Sequence, residues 1–319
     1  MFDISLVKYL PKGTKIPFIN FRFIAMGLSI LAIIGSIFLF STRNLNYGID
    51  FTGGTVWEFH LDHNPTSQEI EQIRVMGPEL GLGELTVQTI TQLNGNEALR
   101  VGLRKQPALE GDDTDDRAQQ QALAKVQTAI TDKFDPVTAL STQVLGSKVS
   151  GELKTKGAWA VGLALMMVLL YIWIRFEWQF GAGAVIALAH DVILTIGVFS
   201  LTRLEFNLSI VAAILTIVGY SLNDTVIVYD RIRENLRKFK KMSLQDVLNL
   251  SINDTLSRTI MTSFTTLLAL TALYIWGGAG LHGFAFAMIW GVFVGTYSSI
   301  FVASPVLMFL GVNRTGTKK

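Results

Sequence analysis

The residue in this sequence best placed to do chemistry is an aspartate inside an apolar run. From Gly219 to Tyr229 the chain is apolar around the pair Asn223-Asp224, and it then breaks into the dense charge of Asp230-Arg231-Ile232-Arg233-Glu234-Asn235. An ionised acid within a bilayer span costs about 3 kcal/mol or more on insertion scales, so Asp224 must be paired, protonated or turned to an aqueous path. It lies about four residues, or roughly 6 Å of helix rise, from the end of its apolar stretch. An acid reaching headgroups is the weaker alternative, because an aspartate is too short to snorkel far.

Arg258 opens the next apolar stretch, which should run antiparallel and bring the guanidinium to a similar depth. A snorkelling anchor is the other reading of that arginine. Thr255, Thr259, Thr262 and Thr266 recur near helical spacing around it, a hydroxyl stripe that could line a wet path or hold the arginine. His190-Asp191 falls near the middle of another apolar run, making Asp191 a second candidate acid, with a mutually satisfied structural pair as the alternative. Gly181, Gly183, Gly291, Gly295, Ser298 and Ser299 suit close helix packing more than chemistry. Asn223 and Thr225 could offer oxygen ligands to sodium, but a lone carboxylate near an arginine suits a proton better. Burial favours the neutral form of a carboxylic acid and an approaching cation favours the charged one, so a helix shift can couple protonation to shape. One charge falling through about 100 mV yields about 2.3 kcal/mol. A driving force of roughly 200 mV thus approaches the ~5.5 kcal/mol that inverts a 1:99 population.

The elements that must position these groups are membrane helices. With 319 residues, 50% hydrophobic content, 16% charge and a mean hydropathy of +0.41, the chain is too apolar for an ordinary soluble domain. A net charge of +2 argues against nucleic-acid binding. With no cysteine there are no disulfides or thiolate metal sites, and the four histidines show no metal spacing. No metal site is expected, and no nucleophile elbow, phosphate loop or zinc motif suggests an enzyme.

The expected order begins with a cytoplasmic N-terminus (1–22) and a first span (23–40), too long in its apolar core and too poor in its cleavage site for a signal peptide. Residues 41–156 form an exported domain. Strand patterns near Val56–Leu61, Leu85–Thr91, Ala98–Leu103 and Ser141–Leu145 alternate with helices starting at the Thr66 capping box and near Asp115. The order βαββαβ fits an α+β ferredoxin-like fold. Asn94-Gly95 should turn a hairpin, and the acids of 110–116 read as a solvated helix lead-in. Asp50, Gly53 and Gly54 sit where the chain leaves the membrane, the glycines shaping a hinge or tight turn. Residues 157–310 supply spans two to six, with an amphipathic interfacial segment at 230–257 and a cytoplasmic tail at 311–319. Basic residues concentrate on the N-terminal side of the membrane, which places both termini in the cytoplasm.

Gly48-Ile49-Asp50-Phe51-Thr52-Gly53-Gly54-Thr55, Arg175-Phe176-Glu177-Trp178, Ala189-His190-Asp191, the run 219–235 and Arg258-Thr259 together resemble the SecF family. Its members are the smaller subunits of the SecD–SecF accessory complex of the bacterial Sec translocase, within the resistance-nodulation-division superfamily. The resemblance implies a non-enzymatic, proton-motive-force-driven subunit in the bacterial inner membrane, without cofactor. It would assist the late, periplasmic stage of preprotein export after the ATP-driven step by SecA. It implies SecD as partner, with SecYEG, YajC and YidC nearby and unfolded preproteins as substrates. The family's aspartate and arginine at the positions of Asp224 and Arg258 are implicated in proton passage, with a further aspartate supplied by SecD. His190, Asp191, Asn223 and Thr262 would be supporting polar residues. A half-size small-molecule exporter of the same superfamily and an uncoupled membrane scaffold are the alternatives.

Overall fold

A computed structural model of the chain describes residues 14–312 except 92–96, 108–115, 135, 146 and 176. Among the described residues six helices are long and apolar enough to cross a membrane: Phe18–Arg43, Ser150–Ile172, Trp178–Thr202, Leu208–Lys238, Leu244–Trp276 and Gly280–Leu310. In chain order, a 3-10 turn at Phe18–Phe21 leads into α1 (Arg22–Arg43). Two short elements follow, β1 (Asn46–Tyr47) and α2 (Ile49–Thr52).

The extramembrane domain is built from β2 (Gly54–Leu61), α3 (Ser67–Glu79), β3 (Thr86–Thr91), β4 (Glu97–Arg104), α4 (Asp116–Phe134) and β5 (Val137–Leu145). The strands pair in the order β3-β4-β2-β5, all antiparallel. Alternation along β2 sends Trp57, Phe59 and Leu61 to one face. There, with Leu99, Val101 and Leu103 of β4, they pack under Ile73 and Met76 of α3 and Val126 and Ile130 of α4. On the opposite face Glu58 binds Arg100 at 2.6 Å and accepts from Ser141 at 2.8 Å. Strand β5 starts four residues earlier than the sequence pattern suggests. Pro136 removes only its own N–H, and the ladder to β2 already holds at Val137 opposite Leu61. The Asn94-Gly95 turn and the acidic stretch 110–115 lie outside the described residues.

Entry into this domain is set by two glycines. Gly53 has φ 71° and Gly54 φ 140°, and a Cβ on Gly54 would collide with the Leu103 carbonyl. Only glycine adopts such backbone without strain.

The membrane part continues with α5 (Ser147–Arg175), α6 (Trp178–Thr202), β6 (Glu205–Phe206), α7 (Leu208–Lys238), α8 (Leu244–Trp276), α9 (Ala279–Ser298) and α10 (Ser304–Leu310). A separate interfacial segment at 230–257 is not what forms. Helix α7, with 31 residues, is about 46 Å long and extends past a ~30 Å hydrocarbon core. Helix α8 rises directly from the Ser243 cap, whose hydroxyl accepts the Asp246 N–H. Of the apolar residues Val247, Leu248, Leu250, Ile252 and Leu256 that suggest an interfacial stripe, Leu250 is half-buried and the other four are buried against Ile232 and Leu236 of α7 and Ile19. Asn249 and Asn253 hold that contact by accepting the Ile19 and Ile16 N–H groups at 2.9 and 3.0 Å. The sixth span is broken by a π-helical turn at Ser299–Ala303. Pro305, in the first turn of α10, has no N–H with which to continue an α ladder, and the backbone widens before it.

Thr66 and Glu69 close the expected capping box at the start of α3. The Thr66 N–H, donated to Glu69 at 2.7 Å, and then His63 hold the Glu69 carboxyl down from its ordinary 4.5 to about 2. An acid depressed on folding stabilises the fold above its unfolded pKa and loses that contribution as pH falls toward the folded one. Thr66→Ala is expected to destabilise the first turn of α3 by about 1 kcal/mol, and Glu69→Gln, which removes the titrating carboxyl, to flatten its pH dependence between 4.5 and about 2. Hydrogen exchange of residues 67–79 measured across that window checks both effects.

Candidate ion-coupling site

Asp224 stands on α7 roughly 24 Å along the helix from Leu208, and is 7% exposed. Its Oδ1 accepts a hydrogen bond from Thr259 of α8 at 2.7 Å. The Ser299 hydroxyl, carried by the π turn, also approaches it. That hydroxyl is bonded to Thr225 Oγ1 at 2.9 Å and donates to the Gly295 carbonyl at 2.9 Å. Asp224 Oδ2 has no hydrogen-bond partner among the described residues. A buried carboxyl oxygen without a donor is the position at which a proton or a small cation would bind.

Arg258 lies at the depth its spacing suggested and acts on Asp224 through space, without pairing with it directly. It precedes Thr259 on α8 and so shares the depth of Asp224, but its side chain is exposed and makes no ion pair within 4.0 Å of Asp224. The hydroxyl stripe divides in the same way. Thr259 faces inward and holds the acid, whereas Thr262 is exposed and donates to the Arg258 carbonyl at 3.0 Å. Thr266 likewise donates to Thr262 and Thr255 to Ser251. These three satisfy their own helix, not the guanidinium. Asn223 is exposed on the far side of α7 from the buried Asp224 and Thr225.

His190 and Asp191 are 2% and 1% exposed and joined through Nδ1 and Oδ1 at 2.9 Å. The pair is not closed on itself. Asp191 Oδ2 also accepts from Ser221 of α7 at 2.5 Å and from Ser298 of α9 at 2.8 Å. Sequence reasoning assigned Ser298 and Ser299 to packing alone. Their signal was a pair of hydroxyls beside small residues, which close approach explains equally well.

Asp50 was read as part of a hinge, and its contact was missed. Its Oδ2 accepts the Leu208 N–H at 2.8 Å, joining Asn207 in capping the helix that carries Asp224. A carboxylate suits a helix N-terminus on electrostatic grounds as well. Around it β1 pairs in parallel with β6, Asn46 opposite Glu205 and Tyr47 opposite Phe206. Arg203, in the left-handed region at φ 58°, donates to the Arg43 and Asn44 carbonyls at 2.7 and 2.9 Å. A cavity of about 450 Å³ opens between this junction and the domain sheet, lined by Gly48, Thr52, Arg100, Arg104 and Glu205 among others. Burial pushes the Glu205 carboxyl above its usual range, and Arg100 draws it partly back.

Two family models match the chain. The one described as "Protein export membrane protein SecD/SecF, C-terminal" matches residues 125–313, and the "SecD/SecF GG Motif" matches residues 38–64. The first covers more than half of the chain. The chain belongs to the SecD/SecF family. Among curated SecD/SecF relatives, "Protein translocase subunit SecF" of Rhodobacter capsulatus is 43% identical over 316 residues, covering 98% of this chain and 94% of its own. The protein of the same name from Vibrio alginolyticus is 44% identical over 300 residues, 94% of this chain and 91% of its own. The crystal structure of SecDF, a translocon-associated membrane protein from Thermus thermophilus, superposes with a TM-score of 0.80 at 34% identity over 93% of this chain. A SecDF structure in a super-membrane-facing form gives a TM-score of 0.63 at 32% identity. The chain spans 39% of the length of each of those two solved SecDF chains. As a SecD/SecF member with six apolar helices it is a multi-pass membrane protein of protein transport.

Thr259→Val, which keeps shape and removes the donor to Asp224, is expected to destabilise the bundle by about 1.5–3 kcal/mol, the range for hydrogen bonds to charged groups. Thr262→Val, which removes only a bond to its own helix, should stay within about 0.5 kcal/mol. Denaturant unfolding of the two variants in detergent compares them directly. Asp50→Ala should raise hydrogen exchange at Leu208 and the first turn of α7, with a stability loss of about 1 kcal/mol, while Asp50→Asn retains most of the cap.

Proposed function

We propose that the chain is the proton-driven accessory subunit of a Sec preprotein translocase, acting with a SecD-type partner at the late, periplasmic stage of export. Asp224 is the coupling acid. The observation that carries this reading is a membrane carboxylate with one oxygen held by Thr259 and the other unpartnered among the described residues. Such an acid can take up a proton without breaking a bond it already has.

Arg258 supplies the counter-charge, and its exposure on α8 suits an arrangement in which the partner contributes a second acid. In this reading Asp224 and Arg258 are half of a relay, which the pair of proteins completes. The extramembrane domain then acts on unfolded preprotein. Its strand order β3-β4-β2-β5 with both helices against one face fits a ferredoxin-like sandwich. The cationic end of α7, with Arg231, Arg233, Arg237 and Lys238, supports a cytoplasmic orientation for that end and for both termini in the bacterial inner membrane. SecYEG, and with it YajC and YidC, belongs to the same proposal.

A proton fits better than sodium. The hydroxyls of Thr259, Thr225 and Ser299 bond to the acid or to each other, leaving few free oxygens for a metal's coordination shell.

Asp224→Asn keeps the shape of the site and removes its titratable charge. In proteoliposomes holding this chain with its SecD-type partner, proton conductance is expected to fall by roughly 10²-fold or more, as for loss of a positioned proton-transfer group. Gradient-dependent release of a translocating preprotein should be lost with it. Full retention of both would leave the scaffold reading standing, and conductance that follows sodium instead of proton gradients would reassign the ion.

A further inference from the structure

The helices around Asp224 are joined by a hydrogen-bonded ring that leaves the acid itself outside. Asp191 of α6 accepts from Ser221 of α7 and from Ser298 at the end of α9. The next residue, Ser299, opens the π turn and bonds to Thr225 of α7. Ser221 and Thr225 are one helical turn apart on the same face of α7, and Asp224 lies between them. The ring therefore runs from Asp191 to Ser221, down one turn of α7 to Thr225, across to Ser299, and through Ser298 back to Asp191. Its members are buried: Ser221, Ser298 and Ser299 are each 0% exposed. At Gly295 a Cβ would stand 3.0 Å from that of Ser221, so α7 and α9 meet with no slack. His190 completes the coordination of Asp191 from Oδ1.

We infer that Asp191 is a positioning residue for Asp224. By fixing α7 against the π turn, it sets the distance of Asp224 from Ser299 and Thr259. A carboxylate can do this where a hydroxyl could not, because it accepts from three donors on three helices at once. The inference rests on Asp224 being the coupling acid. The charged group that acts on Asp224 is Arg258 on α8; His190 and Asp191 on α6 connect to it through the ring, by way of Ser221 and Ser298. From the π turn Asp224 meets the hydroxyl of Ser299, while Ser298 is bonded to Asp191 and Tyr297 stacks on His190.

The test is the protonation midpoint of Asp224, read in the membrane-embedded complex with its SecD-type partner as the carboxyl infrared band that disappears in Asp224→Asn. Asp191→Leu is expected to move that midpoint by about one pH unit or more, tenfold in proton affinity. Ser298→Ala and Ser221→Ala, which cut single bonds of the ring and remain foldable if the leucine variant does not, should each move it by roughly threefold. Thr216→Ala, removing an exposed hydroxyl bonded to its own helix, should leave it unmoved. Asp191→Asn should restore the midpoint and most of the conductance, since the amide oxygen can accept from both serines while its NH2 group donates to His190 Nδ1. A wild-type midpoint in the leucine and both serine variants overturns the positioning role and leaves Asp224 as the coupling acid. If Asp191→Asn abolishes conductance at an unchanged midpoint, Asp191 itself carries the proton and the positioning role is again wrong. Absence of any titrating Asp224 band in the wild type removes the coupling reading, and this inference with it.

Discussion

A carboxylate in the hydrocarbon core has no water to meet its lone pairs, so they must be met by donors that neighbouring helices bring at the same depth. In this chain that constraint falls on two acids, and it is answered differently at each. Asp191 has both oxygens bonded, from its own helix and from two others. Asp224 has one oxygen bonded to Thr259 and the other without a hydrogen-bond partner among the described residues. The first arrangement makes a fixed joint and the second an open valence, although the side chains are chemically identical. Small residues permit both. Gly291 and Gly295 bring α9 so near Ile217 and Ser221 that the serine hydroxyls reach across.

The same helix links the open valence to the extramembrane domain. Helix α7 begins at a backbone N–H held by Asp50, in the turn from which β2 departs, and it carries Asp224 a little over halfway along its 31 residues toward its cationic end. The β1·β6 pair and the Arg203 bonds to the end of α1 tie the same corner. Displacement of α7 along its axis therefore acts on the base of the domain through packed backbone, with no flexible linker between. A contiguous path of this kind is a physical route for coupling; what it transmits depends on a two-state element at one end. The π turn at Ser299–Ala303 lies beside that path, and a π-helical turn holds one residue more than the α-helical turn it replaces.

Much of this was legible in the sequence, for reasons that differ by feature. The six spans follow from hydropathy, because the bilayer imposes length and composition directly. The capping box at Thr66 and the alternation in β2 are local rules, and both took the expected form. The stretch 230–257 was misjudged because an amphipathic stripe says that a face is covered, not by what. Here the cover is α7 and the segment before α1. Asp224 stood out by the cost of its burial. That it would be held by Thr259 and not by Arg258 was beyond sequence spacing, which gives depth along a helix but not azimuth between helices. Asp50 was hidden for a related reason: its partner Leu208 is 158 residues away, and no local signature marks a cap supplied from outside the helix.

Arg258 is the residue whose energetic cost the proposed partner would relieve. An arginine costs about 2.5–3.5 kcal/mol on insertion scales at the centre of a span, and less toward the end where Arg258 stands, unless it snorkels or finds an anion. Asp254, one turn nearer the N-terminal end of α8, would be the natural anchor for a snorkelling side chain. That carboxylate is already engaged by Arg231 at 2.9 Å and by Asn235 at 3.2 Å. Asp224, at the right depth, lies on the inner side of α8, while the guanidinium is on the outer. Arg258 is thereby left between two acids on a face that also exposes Thr262, Thr265 and Phe264. A second protein covering that face with an acid of its own, as proposed, would remove the cost. It would also make the position of the guanidinium, and through it the charge felt at Asp224, depend on how the two proteins are packed.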